Sequence, residues 1–154
     1  MFNYLIKIEY EGTNYVGWQR QKNGKSIQDN IEKALKKVLR AKIKIIGAGR
    51  TDKGVHAYGQ SANFFFAKEI KDKYKFLSSI NFFLRRNLIS IINLTSKKLN
   101  FHARHNVKKK TYKYIIFNRI TSSPLHQNRS WVIKKKLNFN NMKKGIKYFV
   151  GLHD

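Results

Sequence analysis

Residues 47 to 59, GAGRTDKGVHAYG, hold the side chains best suited to chemistry. Four glycines allow this backbone to turn sharply or to be approached closely. Asp52 is the only carboxylate between Glu32 and Glu69, and Arg50 stands close before it. A neighbouring cation favours the ionised form of a carboxylate, which can act as a nucleophile. The segment therefore predicts a loop that presents a reactive aspartate.

The same segment also fits an interpretation without catalysis. A tight turn capped by the Asp52 side chain explains the spacing at least as well as a catalytic role does. Two phosphate-binding patterns do not fit the residues. A G-x-G-x-x-G pattern from Gly47 requires glycine where Asp52 stands, and a Walker loop from Gly49 requires lysine where Val55 stands. Spacing alone leaves the turn and the catalytic carboxylate both open.

A metal site is not expected in this sequence. The chain has no cysteine, so thiolate ligands and disulfides are excluded. His102 and His105 are close in sequence, but no carboxylate is near them to complete a ligand set.

The net charge of +25 predicts a polyanionic partner, most often a nucleic acid. Asp154 is the only acidic residue after residue 97, so the last third is the more basic part. Codon bias toward Lys, Ile and Asn is the alternative origin of this charge. Residues 1–10 alternate Ile and Lys and do not resemble a signal peptide, and no apolar run is long enough for a membrane helix. We therefore expect a cytoplasmic protein.

The elements that must position Asp52 follow from hydrophobic periodicity and capping residues. The predicted order is a strand at 4–9, a helix after Ser26, strands at 42–46 and 60–67, a helix at 72–84 and a strand at 88–94. The second helix is predicted to pack through Tyr74, Leu77, Ile80 and Leu84. This β-α-β-β-α-β order predicts an α+β, ferredoxin-like fold. A strand at 111–117 and a helix at 139–150 are predicted to follow.

Several blocks of the chain resemble the tRNA pseudouridine synthase A family. The most specific is GRTDKGVHA at 49–57, which resembles the active-site signature of the family. The other matching blocks are YEGT at 10–13, GWQ at 17–19, SIQ at 26–28, FHAR at 101–104, KTYKY at 110–114 and GLHD at 151–154. Glu11 and His105 depart from the residues that the family often has at these positions.

The resemblance implies the ferredoxin-like half of a pseudouridine synthase, with a mostly antiparallel sheet, at residues 1–97. Residues 98–154 are then the incomplete beginning of a second half, because family members continue for roughly another domain. A chain truncated in this way is expected to be a poor enzyme alone and to expose strand edges and apolar surface. A full-length protein would be a homodimer.

The resemblance also implies an activity: conversion of uridine to pseudouridine at positions 38, 39 and 40 of the tRNA anticodon arm, without a cofactor or metal. Asp52 matches the catalytic carboxylate, and whether it attacks the sugar or the base stays open. Arg50 matches the residue paired with it, and Tyr112 matches the tyrosine that stacks on the extracted base, which leaves Tyr114 as core. The phosphate-contact candidates are Arg104, Lys108, Lys109 and Lys110.

Two other functions remain open at this point. The chain is alternatively a non-catalytic RNA-binding module or an inactive, truncated remnant of the enzyme. Against the RNA-binding module, the aromatic strand at 60–66 lacks the basic, Gly-rich lead-in of RNA-recognition domains. Trp18 is assigned either to the RNA path or to fixing its loop against the sheet.

Overall fold

The first strand is the centre of a four-stranded sheet in the computed structural model, which describes residues 1–153. The elements of this part are β1 (Phe2–Tyr10), α1 (Ile27–Leu39), β2 (Ile46–Gly47), β3 (Ala57–Phe66), α2 (Lys73–Leu84) and β4 (Ile89–Lys97). The spatial order is β2-β3-β1-β4, and every neighbouring pair is antiparallel. The predicted α+β, ferredoxin-like topology is therefore confirmed.

The core lies between one face of the sheet and the two helices. Alternate residues of β1, from Tyr4 through Ile6 and Ile8, are buried, as the period of a strand requires. The helices bury Ile27, Ile31 and Leu35 from α1 and Phe76, Ile80 and Leu84 from α2. Each such apolar side chain contributes about 1.5–3 kcal/mol on burial.

Both helices begin where the sequence predicts. Ser26 Oγ accepts a hydrogen bond from the Asp29 amide at 3.2 Å, and Asp72 Oδ1 accepts one from the Lys75 amide at 2.8 Å. These caps satisfy amides that have no partner within the helix. The predicted apolar face of α2 is wrong at Tyr74, which is 86% exposed.

The strand predicted at 42–46 is reduced to β2, which starts only at Ile46. Side chains of α1 take the backbone groups that a longer strand would pair. Glu32 Oε1 accepts from the Ile45 amide at 3.1 Å, and Gln28 Nε2 donates to the Ile45 carbonyl at 3.4 Å. Ile43 and Ile45 are buried nonetheless. The alternating pattern therefore predicted the buried side chains correctly, although these residues do not pair as a strand.

The chain divides into two compact units, residues 1–110 and the part from Thr111 onward. Residues 98–110 pack with the first unit through buried asparagines. Asn3 Nδ2 donates to the carbonyls of Lys98 and Phe101 at 3.0 and 2.8 Å, and the Ala103 amide donates to Asn63 Oδ1 at 2.9 Å. These bonds tie Lys98, Phe101 and Ala103 to the sheet.

The second unit contains a small parallel pair, β5 (Ile116–Asn118) and β6 (Trp131–Ile133), followed by α3 (Phe139–Ile146). The helix predicted there is confirmed, with a 3₁₀ turn at Lys147–Phe149. The strand predicted at 111–117 is wrong before residue 116, because the paired register begins only where Ile116 meets Trp131. Tyr114 is 88% exposed, so its assignment to the core is wrong as well.

No helix within residues 1–153 is long and apolar enough to cross a membrane.

Candidate active site

Two glycine-containing loops meet at one end of the sheet. The first loop, residues 11–18, leaves β1, and the Asp52 loop, residues 48–56, joins β2 to β3. The Trp18 amide donates to the Thr51 carbonyl at 2.9 Å, and the Gly54 amide donates to the Tyr15 carbonyl at 3.4 Å. Backbone bonds therefore hold the Asp52 loop against the first loop.

Two glycines of the first loop let these backbones approach closely. A Cβ at Gly12 would lie 2.0 Å from the Val55 carbonyl oxygen. A Cβ at Gly17, whose φ is +116°, would lie 2.5 Å from the Thr51 carbonyl oxygen. Neither position accepts a larger residue without moving the Asp52 loop.

Two aromatic side chains, Trp18 and Tyr10, contact the Asp52 loop and the strand before it. Trp18 is 3% exposed, and its indole lies where a Cβ at Gly47 would be, with Nε1 2.6 Å away. Trp18 therefore fixes its loop to the sheet and does not line an RNA path. The Tyr10 hydroxyl hydrogen-bonds Thr51 Oγ1 at 2.8 Å. Burial raises the pKa of Tyr10, and this hydrogen bond offsets part of that rise.

The two loops also bring together an acid and an imidazole, Glu11 of the first loop and His56 of the Asp52 loop. His56 Nδ1 accepts a hydrogen bond from the Gly12 amide at 3.1 Å and lies 3.4 Å from Glu11 Oε1. Glu11 in turn accepts from the amide and hydroxyl of Thr13. Burial, and then the negative charge of Glu11, raise the pKa of Tyr15. The only sequence signal for Glu11 and His56 was their position inside the two matching blocks.

Asp52 lies exposed at the turn of its loop. The turn is closed by the backbone, with the Val55 amide donating to the Asp52 carbonyl at 3.3 Å and Gly54 at a φ of +80°. Glycine at that position is typical of a type II turn. Within residues 1–153, no hydrogen bond or ion pair engages the Asp52 carboxylate, so the side-chain-capped turn is not formed. The Asp52 carboxylate is therefore accessible, and hydrogen bonds to the first loop hold the backbone that carries it.

Residues 6–106 match the family described as tRNA pseudouridine synthase, and this range contains both loops, Asp52, both helices and all of the sheet except the start of β1. The chain belongs to this family.

Individual members extend the match to the full chain. A tRNA pseudouridine synthase A of Pelagibacter ubique is 51% identical over 154 residues, which is 100% of this chain and 63% of the relative. The protein of the same name from Acetivibrio thermocellus is 42% identical over 154 residues and 62% of its length. That from Anaplasma phagocytophilum is 40% identical over 153 residues, 98% of this chain and 62% of its own. The chain thus spans less than two thirds of these relatives.

The family resemblance implies that Arg50 pairs with the catalytic carboxylate. Its side chain is exposed. The salt bridges of residues 1–153 do not include an Arg50–Asp52 pair. An exposed pair of this kind is worth only about 0–1 kcal/mol, so solvation of both groups competes with it. The guanidinium is available to another anion.

Lys110 is a phosphate-contact candidate that lies against the Asp52 loop. Its Nζ is 3.1 Å from the position of a Cβ on Gly49, at the start of that loop. Arg104, Lys108 and Lys109 are exposed in the same unit. Their ammonium and guanidinium groups are open to a polyanion.

Tyr112 belongs to the second unit and is 72% exposed. A ring with this exposure has a face available for stacking. Asp154, the last residue of the GLHD block, lies outside the described residues.

The rings of His102 and His105 lie against each other in a tilted arrangement, with centroids 4.3 Å apart. In the part of the chain from residue 1 to 153, no group of three or more His, Asp or Glu side chains could hold a metal ion.

Proposed function

We propose that this chain carries the catalytic loop of a tRNA pseudouridine synthase that converts uridine to pseudouridine at positions 38, 39 and 40 of the anticodon arm. The observation that supports this most is the free Asp52 carboxylate, which stands on a loop that the first loop holds by backbone bonds. Membership of the tRNA pseudouridine synthase family supports the reaction type.

The reaction is an isomerisation and needs one well-placed carboxylate. The N1–C1′ glycosidic bond of uridine breaks, the uracil turns, a C5–C1′ bond forms, and the C5 proton leaves to solvent. Asp52 serves either as a nucleophile toward the sugar C1′ or as a nucleophile toward the pyrimidine ring. A braced loop favours either route, because it holds the carboxylate in place before the substrate arrives.

The target uridine must leave the base stack before Asp52 can reach it. Extracting a nucleotide costs a few kcal/mol. Stacking on an aromatic ring returns about 1–3 kcal/mol per base. Tyr112 is the residue that we assign to this role, with its exposed ring as support.

The negative charge of the bound RNA needs compensation close to Asp52. We assign the phosphates to Arg104, Lys108, Lys109 and Lys110, of which Lys110 lies at the start of the Asp52 loop. Arg50 is assigned to the substrate as well. In this proposal the partner is tRNA and the compartment is the cytoplasm. The complete enzyme is a homodimer, as the family resemblance implies.

The test is release of tritium from tRNA that carries uridine labelled at C5. It is run with the chain alone and with the chain fused to the part of the Pelagibacter relative that it does not span. We expect the fusion to release tritium and Asp52→Asn in the same fusion to release none, because an amide is neither a nucleophile nor a base in this reaction. Glu69→Gln, an exposed acid outside the loops, is the matched control and should retain the activity.

Binding separates loss of chemistry from loss of structure. The Asp52→Asn variant should keep its affinity for tRNA, since its carboxylate makes no bond within residues 1–153. Turnover by Asp52→Asn would refute the assignment of Asp52. A fusion that binds tRNA with no tritium release in any variant would favour the non-catalytic RNA-binding module.

A further inference from the structure

A groove of about 610 Å³ lies between α1 and the end of α2. Lys33, Lys36 and Lys37 of α1, with Arg40 just after it, form one wall. Phe83 of α2 and Asn87 of the following 3₁₀ turn form the other. We call it the basic groove.

The charge of the basic groove is largely uncompensated. Asp29 of α1 is not among the lining residues, and Lys33 Nζ already contacts its carboxylate at 2.6 Å. Glu32, the other acid of α1, is engaged with the Ile45 amide. Residues 73–88, which supply the opposite wall, contain no acid. Lys36, Lys37 and Arg40 therefore present positive charge to whatever enters.

Cations near the C-terminus of a helix also stabilise its dipole, which accounts for Lys36 and Lys37 in the last turn of α1. That effect falls off within one turn and does not account for the concave shape or for Lys33. Lys37 is placed in the groove by the opposite wall, since its Nζ lies 5.1 Å from the centroid of the Phe83 ring.

Tyr15 is hydrogen-bonded both to a residue of the basic groove and to the Asp52 loop. The Tyr15 hydroxyl donates to the Asn87 carbonyl at 2.5 Å, and the Tyr15 carbonyl accepts from Gly54 of the Asp52 loop. Tyr15 therefore links the Asn87 wall of the groove to the Asp52 loop.

We propose that the basic groove binds the phosphodiester backbone of the tRNA, away from the nucleotide that reaches Asp52. From Lys33 to Arg40 the cations extend about 10 Å along α1, given a rise of about 1.5 Å per residue. This is the length of about three nucleotide steps at about 3.4 Å each. A concave groove also fits a strand better than it fits a flat lipid surface. The inference rests on the proposed function only for the identity of the RNA.

The experiment compares two double variants of the whole chain, Lys36→Gln/Lys37→Gln in the groove and Lys42→Gln/Lys44→Gln outside it. Both remove the same charge from exposed positions, and glutamine keeps helix propensity at 36 and 37. Circular dichroism establishes that both fold. Binding to tRNA is measured by fluorescence anisotropy from about 50 to about 200 mM salt, where phosphate contacts dominate the salt dependence.

We expect the groove variant to bind tRNA about ten- to thirty-fold more weakly, with the salt slope smaller by about 1.4 to 1.8 for two lost phosphate contacts. The control should keep a slope close to that of the unmodified chain. Equal losses in both variants would overturn the proposal, because the effect would then be one of net charge. Anionic phospholipid vesicles are the second probe, and groove-dependent binding to them that exceeds binding to tRNA would overturn the choice of RNA.

This result is independent of the catalytic assignment. Asp52→Asn leaves the basic groove intact and should show the same salt slope as the unmodified chain. Groove-dependent binding together with no tritium release by the fusion would refute the enzyme and retain the groove. Tritium release by the fusion, together with tRNA binding that does not depend on the groove, would support the enzyme and refute the groove.

Discussion

Two tyrosines lie where the first loop meets the rest of the fold, and each hydroxyl has a defined partner. Tyr10 hydrogen-bonds Thr51, and Tyr15 donates to the Asn87 carbonyl. The pKa of each is raised, chiefly by burial. Both side chains thus favour the protonated state in which they brace the Asp52 loop.

This arrangement predicts a loss of stability in alkali. A raised folded-state pKa means that the contribution of Tyr10 is complete below the unfolded pKa of about 10 and is lost as the pH rises through the folded value. We expect Tyr10→Phe to be less stable than the unmodified chain near neutral pH and to show a shallower decline above about pH 10. Urea unfolding across that pH range measures both effects.

The control is Tyr58→Phe, at an exposed tyrosine. It should leave the alkaline decline as steep as in the unmodified chain. A Tyr10→Phe decline that matches the unmodified chain would contradict the role of the Tyr10 hydroxyl.

At the scale of elements, the Asp52 loop is positioned by the first loop as well as by its own turn. Carbonyls of the Asp52 loop lie where side chains at Gly12 and Gly17 would stand. The short β2 strand anchors one end of the Asp52 loop, and Trp18 packs over its Gly47. The geometry of the Asp52 loop therefore depends on residues of the first loop, which are more than 30 positions away in sequence.

Gly12→Ala tests this dependence. The added methyl group would meet the Val55 carbonyl at 2.0 Å, so the backbone of one loop must shift. We expect a loss of about 1–3 kcal/mol in the free energy of unfolding, the usual range for overpacking. We also expect the tritium release of the fusion described above to fall sharply while tRNA binding persists.

Gly145→Ala is the matched substitution in α3, where the new methyl group meets nothing within 4 Å. It should be neutral or stabilising by up to about 1 kcal/mol, because alanine favours a helix. A Gly12→Ala variant as stable and active as Gly145→Ala would refute the close packing of the two loops.

At the scale of the whole molecule, the buried residues are distributed unequally between the two units. Among residues 1–153, every buried side chain except Ser123 belongs to residues 1–110. We propose that the first folding unit ends at Lys110, beyond the boundary at residue 97 that the sequence predicts.

Residues 1–110 should therefore fold alone. We expect their melting temperature to lie within about 5 °C of the main transition of the whole chain, which is about 1 kcal/mol for a domain of this size. Residues 1–97 are the comparison, and they lose the partners of Asn3 and Asn63. Each buried polar group left unpaired costs about 1–3 kcal/mol, so this shorter piece should melt lower. Equal stability of the two pieces, measured by calorimetry, would place the boundary at 97.

The sequence by itself determined the order of elements in the first unit, the Ser26 cap, the position of the second helix and the loop that holds Asp52. These features depend on local periodicity, on capping side chains and on a specific motif, all of which are readable along one chain. At residues 42–45 the periodicity predicted burial correctly but not the absence of strand pairing, and at Tyr114 it predicted burial of a side chain that is exposed.

Only the tertiary structure decided what surrounds Asp52. The buried Trp18, the Glu11–His56 contact and Lys110 beside Gly49 all join residues far apart in sequence. The basic groove likewise exists only because α1 and α2 pack side by side. Such contacts depend on how a sheet and two helices share one core, and local patterns of residues do not encode that arrangement.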